Sequence, residues 1–134
     1  MARIVEIEGV GEIYAAKLLE AGIATTEKLL AEGGTPKGRK ALEERTGLGH
    51  AHILKWVNHA DLFRIQGIGG QFSELLEAAG VETVVELSKR KADNLHAKLV
   101  EANEAKRMVR ALPSAKKVAD WIEQARNLPR AVKY

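Results

Sequence analysis

The sequence predicts an all-α fold in which two related halves, with additional helices, form one compact body. Three observations carry this expectation. Alanine and leucine supply 35 of the 134 residues, and both favour helix. Apolar residues recur three and four positions apart, without the alternation of a half-buried strand. Displaced by 58 positions, the chain also resembles itself, with eight identities among the 24 positions from Ile7 to Leu30 and no gap.

Each half begins with a glycine turn, Gly9-Val10-Gly11 or Gly67-Ile68-Gly69, that runs directly into an amphipathic helix. Gly22 and Gly80 stop those helices, since glycine takes up the left-handed conformation of a helix C-terminus without strain. Thr25 and Thr83 then open a second helix, Thr83 with Glu86 as a capping box. Thr35-Pro36, a cap followed by a first-turn proline, opens a third in the first half. In the second half Leu95, Leu99, Ala102, Ala105, Val109 and Leu112 form one long helical stripe, and Pro113-Ser114 precedes the last helix. Ile53, Trp56, Val57 and Ala60 share their spacing with Val118, Trp121, Ile122 and Ala125, now at a displacement of 65, so roughly seven residues are inserted in the second half. Both tryptophans fall on core-facing stripes and are expected to be packing anchors. The reading is eight short helices, in halves spanning about 4–62 and 63–128.

A chain of 14.6 kDa excludes an elaborate multi-domain enzyme, and 46% hydrophobic with 29% charged residues is the composition of a folded chain. No cysteine is present, so there is no disulfide, thiolate ligand or cysteine nucleophile. Glu6 interrupts any signal-like run, and no apolar segment approaches the roughly 18 residues of a membrane span. The expectation is a cytoplasmic protein with no membrane contact. Its net charge of +3 is unevenly placed: −3 over residues 1–34, +3 over 35–64, −4 over 65–88 and +7 over 89–134.

A glycine turn that feeds a helix leaves the first N–H groups of that helix unpaired and pointing outward, where an anion gains hydrogen bonds and a favourable dipole. The two turns resemble the helix-hairpin-helix family of DNA-binding motifs. Ile7, Gly9, Val10, Gly11, Ala15 and Leu18 match every marked position of that pattern, and Ile65, Gly67, Ile68, Gly69 and Leu76 match again, with Ser73 in place of the alanine. The resemblance implies tandem helix-hairpin-helix repeats that hold duplex phosphates across the minor groove without reading sequence. The chain as a whole also resembles the domain-of-unknown-function family numbered 4332, most characteristically over Ile53-Leu54-Lys55-Trp56-Val57-Asn58-His59-Ala60-Asp61-Leu62-Phe63-Arg64-Ile65. That family brings no established activity with it.

Charge separates the candidates. Glu6, Glu8 and Glu12 surround the first turn, which is therefore expected to be a packing or protein-contact element. The second turn has Arg64, Gln66, Gly70 and Gln71 about it and no acid within the turn, making Gly67, Ile68, Gly69, Gly70 and Arg64 the leading phosphate-binding set. A third turn, Gly47-Leu48-Gly49, lies near Lys37, Arg39, Lys40 and Arg45, which form either a basic wall or an ordinary solvated face. Lys89, Arg90 and Lys91, then Lys106, Arg107 and Arg110, then Lys116 and Lys117 form a second basic set, with Lys106 and Arg110 one turn apart on the long helix.

No metal site is expected: His52 and His59 lie two turns apart, too far to share one zinc ion unaided. Asp61, Asp93 and Asp120 are scattered, each fit for a cap or a surface, and no nucleophile and base stand together. The expectation is a non-enzymatic protein without a cofactor that binds double-stranded DNA weakly and without sequence preference. The alternatives are a protein-interaction or self-assembly module on the same scaffold, or an accessory domain acting beside a separate nuclease or repair enzyme.

Overall fold

The computed structural model describes residues 2–134. After a short 3-10 turn, Ile4–Glu6, the chain forms α1 (Gly11–Glu20), α2 (Thr26–Gly33), α3 (Pro36–Thr46), α4 (His50–Leu62), α5 (Gly70–Ala78), α6 (Val84–Ser88), α7 (Ala92–Lys106) and α8 (Ala115–Arg126). Among the described residues the β pairing is a single isolated bridge, Arg3 with Thr25. The molecule is all-helical. Among the described residues no helix is long and apolar enough to cross a membrane.

Local chemistry sets the helix starts. Thr25 Oγ1 accepts from Lys28 N at 3.1 Å, Thr35 from Gly38 N at 3.0 Å, Thr83 from Glu86 N at 3.3 Å and Ser114 from Lys117 N at 3.1 Å, each satisfying an otherwise orphaned donor. The repeat is visible at the level of single hydrogen bonds. Gly22 and Gly80 have φ of 87° and 92°, and behind them Ile23 N donates to Leu18 O and Val81 N to Leu76 O, both at 2.8 Å. Ile7, Ala15 and Leu18 are buried, as are Ile65, Ser73 and Leu76. In packing, α2 lies on α4 as α6 lies on α8, and α3 adjoins α4 as α7 adjoins α8.

The apolar interior forms two clusters. One holds Ile4, Leu18, Leu29, Leu42, Ile53 and Trp56; the other holds Leu62, Leu76, Leu87, Leu99, Val118 and Trp121. Between them α4 meets the second half through polar groups. Asp61, 1% exposed, accepts from Arg64 Nη1 at 2.7 Å and from Val84 N, at the start of α6, at 2.8 Å. His59 Nε2 lies 2.9 Å from Glu77 Oε2, and Lys55 Nζ lies 3.6 Å from Glu74 and 3.5 Å from Glu77.

Two features depart from the sequence reading. The long helix stops at Lys106, before Val109 and Leu112, so the expected stripe is broken and Lys106 and Arg110 are not one helical turn apart. The cause is Asn103, whose side chain donates to Val109 O at 3.1 Å and accepts from Val109 N at 2.9 Å, while Arg107 turns left-handed at φ 48°. Val109 still reaches the core; Leu112 does not. The second feature is the tail. Residues 129–134, beyond both expected halves, return to the first: Val132 joins its core, Lys133 N donates to Gly34 O at 2.7 Å, and Tyr134 Oη lies 3.3 Å from Asn58 Oδ1.

Candidate functional site

Only part of the first basic wall faces solvent. Arg39 is 3% exposed, with Nη1 donating to Gly33 O at 3.0 Å and Nη2 to Lys133 O at 2.7 Å. It is a clasp for the tail, not a surface charge. Arg45 is bound to Glu32 at 2.7 Å and to the carbonyl of Ala21, and Glu32 is held below its ordinary carboxylate range chiefly by that hydrogen bond. Lys40 is exposed and belongs to no ion pair among the described residues. Beside them Gly47 caps α3 at φ 74°, and Gly49 begins α4 in extended conformation with no side-chain cap. That turn is open, since a Cβ on either glycine would touch nothing within 4 Å.

At the second turn the proposed partner Arg64 is likewise engaged. Its guanidinium pairs with Asp61 and donates to Pro129 O at 2.7 Å, so it ties α4 to the tail rather than flanking the glycines. The turn itself is held by α8. Gln124 Oε1 accepts from Gln66 N at 2.9 Å, and Gln124 Nε2 donates to Gln66 O at 3.2 Å. Gly67, at φ 98°, lies over Trp121, whose Nε1 would stand 3.0 Å from an added Cβ. Ile68 is buried, and Gly69 is extended and open.

Gly70 begins α5 against the first half, where a Cβ would overlap Glu6 O and lie 3.4 Å from Glu8 Oε1. An acid absent from the neighbouring sequence is thus brought to this helix start by the fold.

The fold also brings cations there. Gln71 and Phe72, in the first turn of α5, line a cavity of about 770 Å³ with Asn103, Arg107, Met108 and Arg110. Lys106 reaches the adjoining hollow that Glu8, Gly9 and Gln71 share, and Lys117 Nζ lies 6.0 Å from the Phe72 ring centroid. Lys106, Arg107, Arg110 and Lys117 are exposed, and none is in an ion pair among the described residues. Sequence alone contains these residues, but Arg107 and Arg110 come to the second turn by way of the Asn103 turn, and Lys117 from α8.

His59, Glu74 and Glu77 bring ligand-type atoms within 4.8 Å of one another, a grouping that spacing did not suggest because it spans α4 and α5. Lys55 already supplies the positive charge to both carboxylates, which makes the group an ion-pair network across the two halves.

The class defined by these features is an all-helical protein of two similar four-helix halves with exposed glycine turns at helix starts. The chain belongs to the family described as a domain of unknown function (DUF4332), whose model matches residues 8–128. No curated protein and no solved structure gives a significant match.

Proposed function

We propose that the chain is a tandem helix-hairpin-helix protein that binds duplex DNA through its phosphates, without sequence preference, on the second half. The observation that carries this reading is the shared cavity of α5's first turn with Arg107 and Arg110. One phosphate there meets N–H donors at the open Gly69 start and two exposed positive charges, with no base contact required. Gly67, Ile68, Gly69 and Gly70 supply the turn; Arg107, Arg110, Lys106 and Lys117 take the electrostatic role that Arg64, Arg39 and Arg45 spend on internal bonds. Gly47, Gly49 and Lys40 form a lesser second contact. Glu8 opposes the anion, and few phosphates are reached, so binding is weak, about 10⁻⁴ to 10⁻⁶ M at physiological salt.

Fluorescence anisotropy of a labelled duplex, titrated at low and at physiological salt, tests this. Gly69→Glu places an anion in open space, and Arg107→Asn keeps a residue that tolerates the left-handed conformation. Salt-sensitive binding that both variants weaken is the expected result. Absence of binding at low salt would sink the proposal.

A further inference from the structure

We infer that the duplex is held at both ends of α7, the second point of attachment being a cationic groove at the α6–α7 junction. This rests on the DNA-binding reading above and extends it to a new surface. Lys89, Arg90, Lys91, Asn94 and Lys98 line a hollow of about 550 Å³, in which Glu101 is the one acid. Lys89, Lys91 and Lys98 are exposed, and none of the groove's four cations is in an ion pair among the described residues. Elsewhere several cations are already engaged: Lys28, Arg45, Lys55 and Arg64 each meet a carboxylate, and Arg39 is buried on carbonyls, although Lys17, Lys37 and Lys40 are exposed without an ion pair among the described residues.

Geometry relates the groove to the α5 site. Lys91, Asn94 and Lys98 follow one another at i, i+3 and i+7, and Lys106 lies only about 80° further round the same helix. The acids Asp93 and Glu104 project from the other side by the same arithmetic, leaving Glu101 as the one negative charge on the basic face. With 15 residues in α7, its ends stand about 21 Å apart at 1.5 Å per residue. That is about six base-pair steps at 3.4 Å each, so the two clusters meet phosphates well separated along one duplex. A polyanion of regular charge spacing fits such a surface, since every unpaired cation it neutralises releases a counterion from the nucleic acid.

The test is the slope of log affinity against log salt for one labelled 16-base-pair duplex, with helicity followed by circular dichroism. The triple variant Lys89→Gln, Lys91→Gln, Lys98→Gln alters exposed side chains alone and preserves the α5 site. It is expected to retain salt-dependent binding, with the slope shallower by about 0.9 for each phosphate no longer neutralised and affinity at low salt reduced at least tenfold. Glu101→Gln is expected to strengthen binding two- to fivefold at low salt. If the wild type binds and the triple variant matches it in slope and affinity, the groove's role is overturned while the α5 site stands. If the wild type does not bind, both fall.

Discussion

Glu8 stands at the start of a helix to which it does not belong. Its Oε1 lies 3.4 Å from the point where Gly70 would carry a Cβ, so an acid of the first half faces the N-terminus of α5 in the second. A carboxylate there stabilises the helix by interaction with its dipole and competes with any incoming phosphate. Glu8→Gln is therefore expected to lower stability by about 0.3–1 kcal/mol and to tighten duplex binding by about two- to fivefold at low salt. Chemical denaturation and anisotropy on the same preparation read the two effects, and tighter binding without any loss of stability would contradict the shared origin.

Gly67 and Gly69 look alike in sequence but stand in different conformations. At φ 98° and against Trp121, Gly67→Ala should cost about 1–2 kcal/mol or more. Gly69→Ala, extended and in open space, should stay within about 0.5 kcal/mol. Urea unfolding midpoints distinguish them; equal losses would show that the second turn is not held as described.

Arg39 and the tail act as a unit. Arg39→Ala is expected to destabilise the protein by about 2–3 kcal/mol, because the carbonyls of Gly33 and Lys133 lose a charged donor. Removing residues 129–134 takes Val132 out of the first core as well, and should cost at least as much. Combined, the two changes should cost clearly less than their sum, since each removes the Arg39–Lys133 bond. Full additivity in a double-mutant cycle would refute the clasp. Duplex binding by folded Arg39→Ala should be unchanged.

Two glutamates should tilt acid stability in opposite senses. Glu32 sits below its ordinary value of 4.5, first because of the Arg45 hydrogen bond, so its contribution is complete above that value and disappears as pH falls through the lower folded value. Glu82 sits above 4.5, first through burial and then through Glu86 and Glu77. Its sign is reversed: relative stabilisation is present below 4.5 and lost as pH rises through the raised folded value. Between pH 3 and 7, Glu32→Gln should therefore flatten the rise of stability with pH, and Glu82→Gln should steepen it. Thermal melts across that range check both, and a shift of the same sign in the two variants would refute the assignment.

The sequence by itself determined the helical class, the number of helices, the internal repeat and most caps, because these depend on interactions a few residues apart. Thr25, Thr35, Thr83 and Ser114 bond three residues ahead, and Gly22 and Gly80 close their own helices. Tertiary structure alone decided which charges are free. Arg39 and Arg45 read as surface cations, but their partners Lys133 and Glu32 lie 94 and 13 residues away, beyond any local pattern; Arg64 pairs with Asp61 three residues back, and its second partner, Pro129, lies 65 residues away. Glu8 reaches α5 across 62 residues for the same reason. The end of α7 fell between the two cases: Asn103 is only six residues from Val109, but its side chain outcompeted a helical stripe that periodicity would have continued. A charge is available to a ligand only when the folded chain has not already satisfied it, and that depends on packing among distant segments.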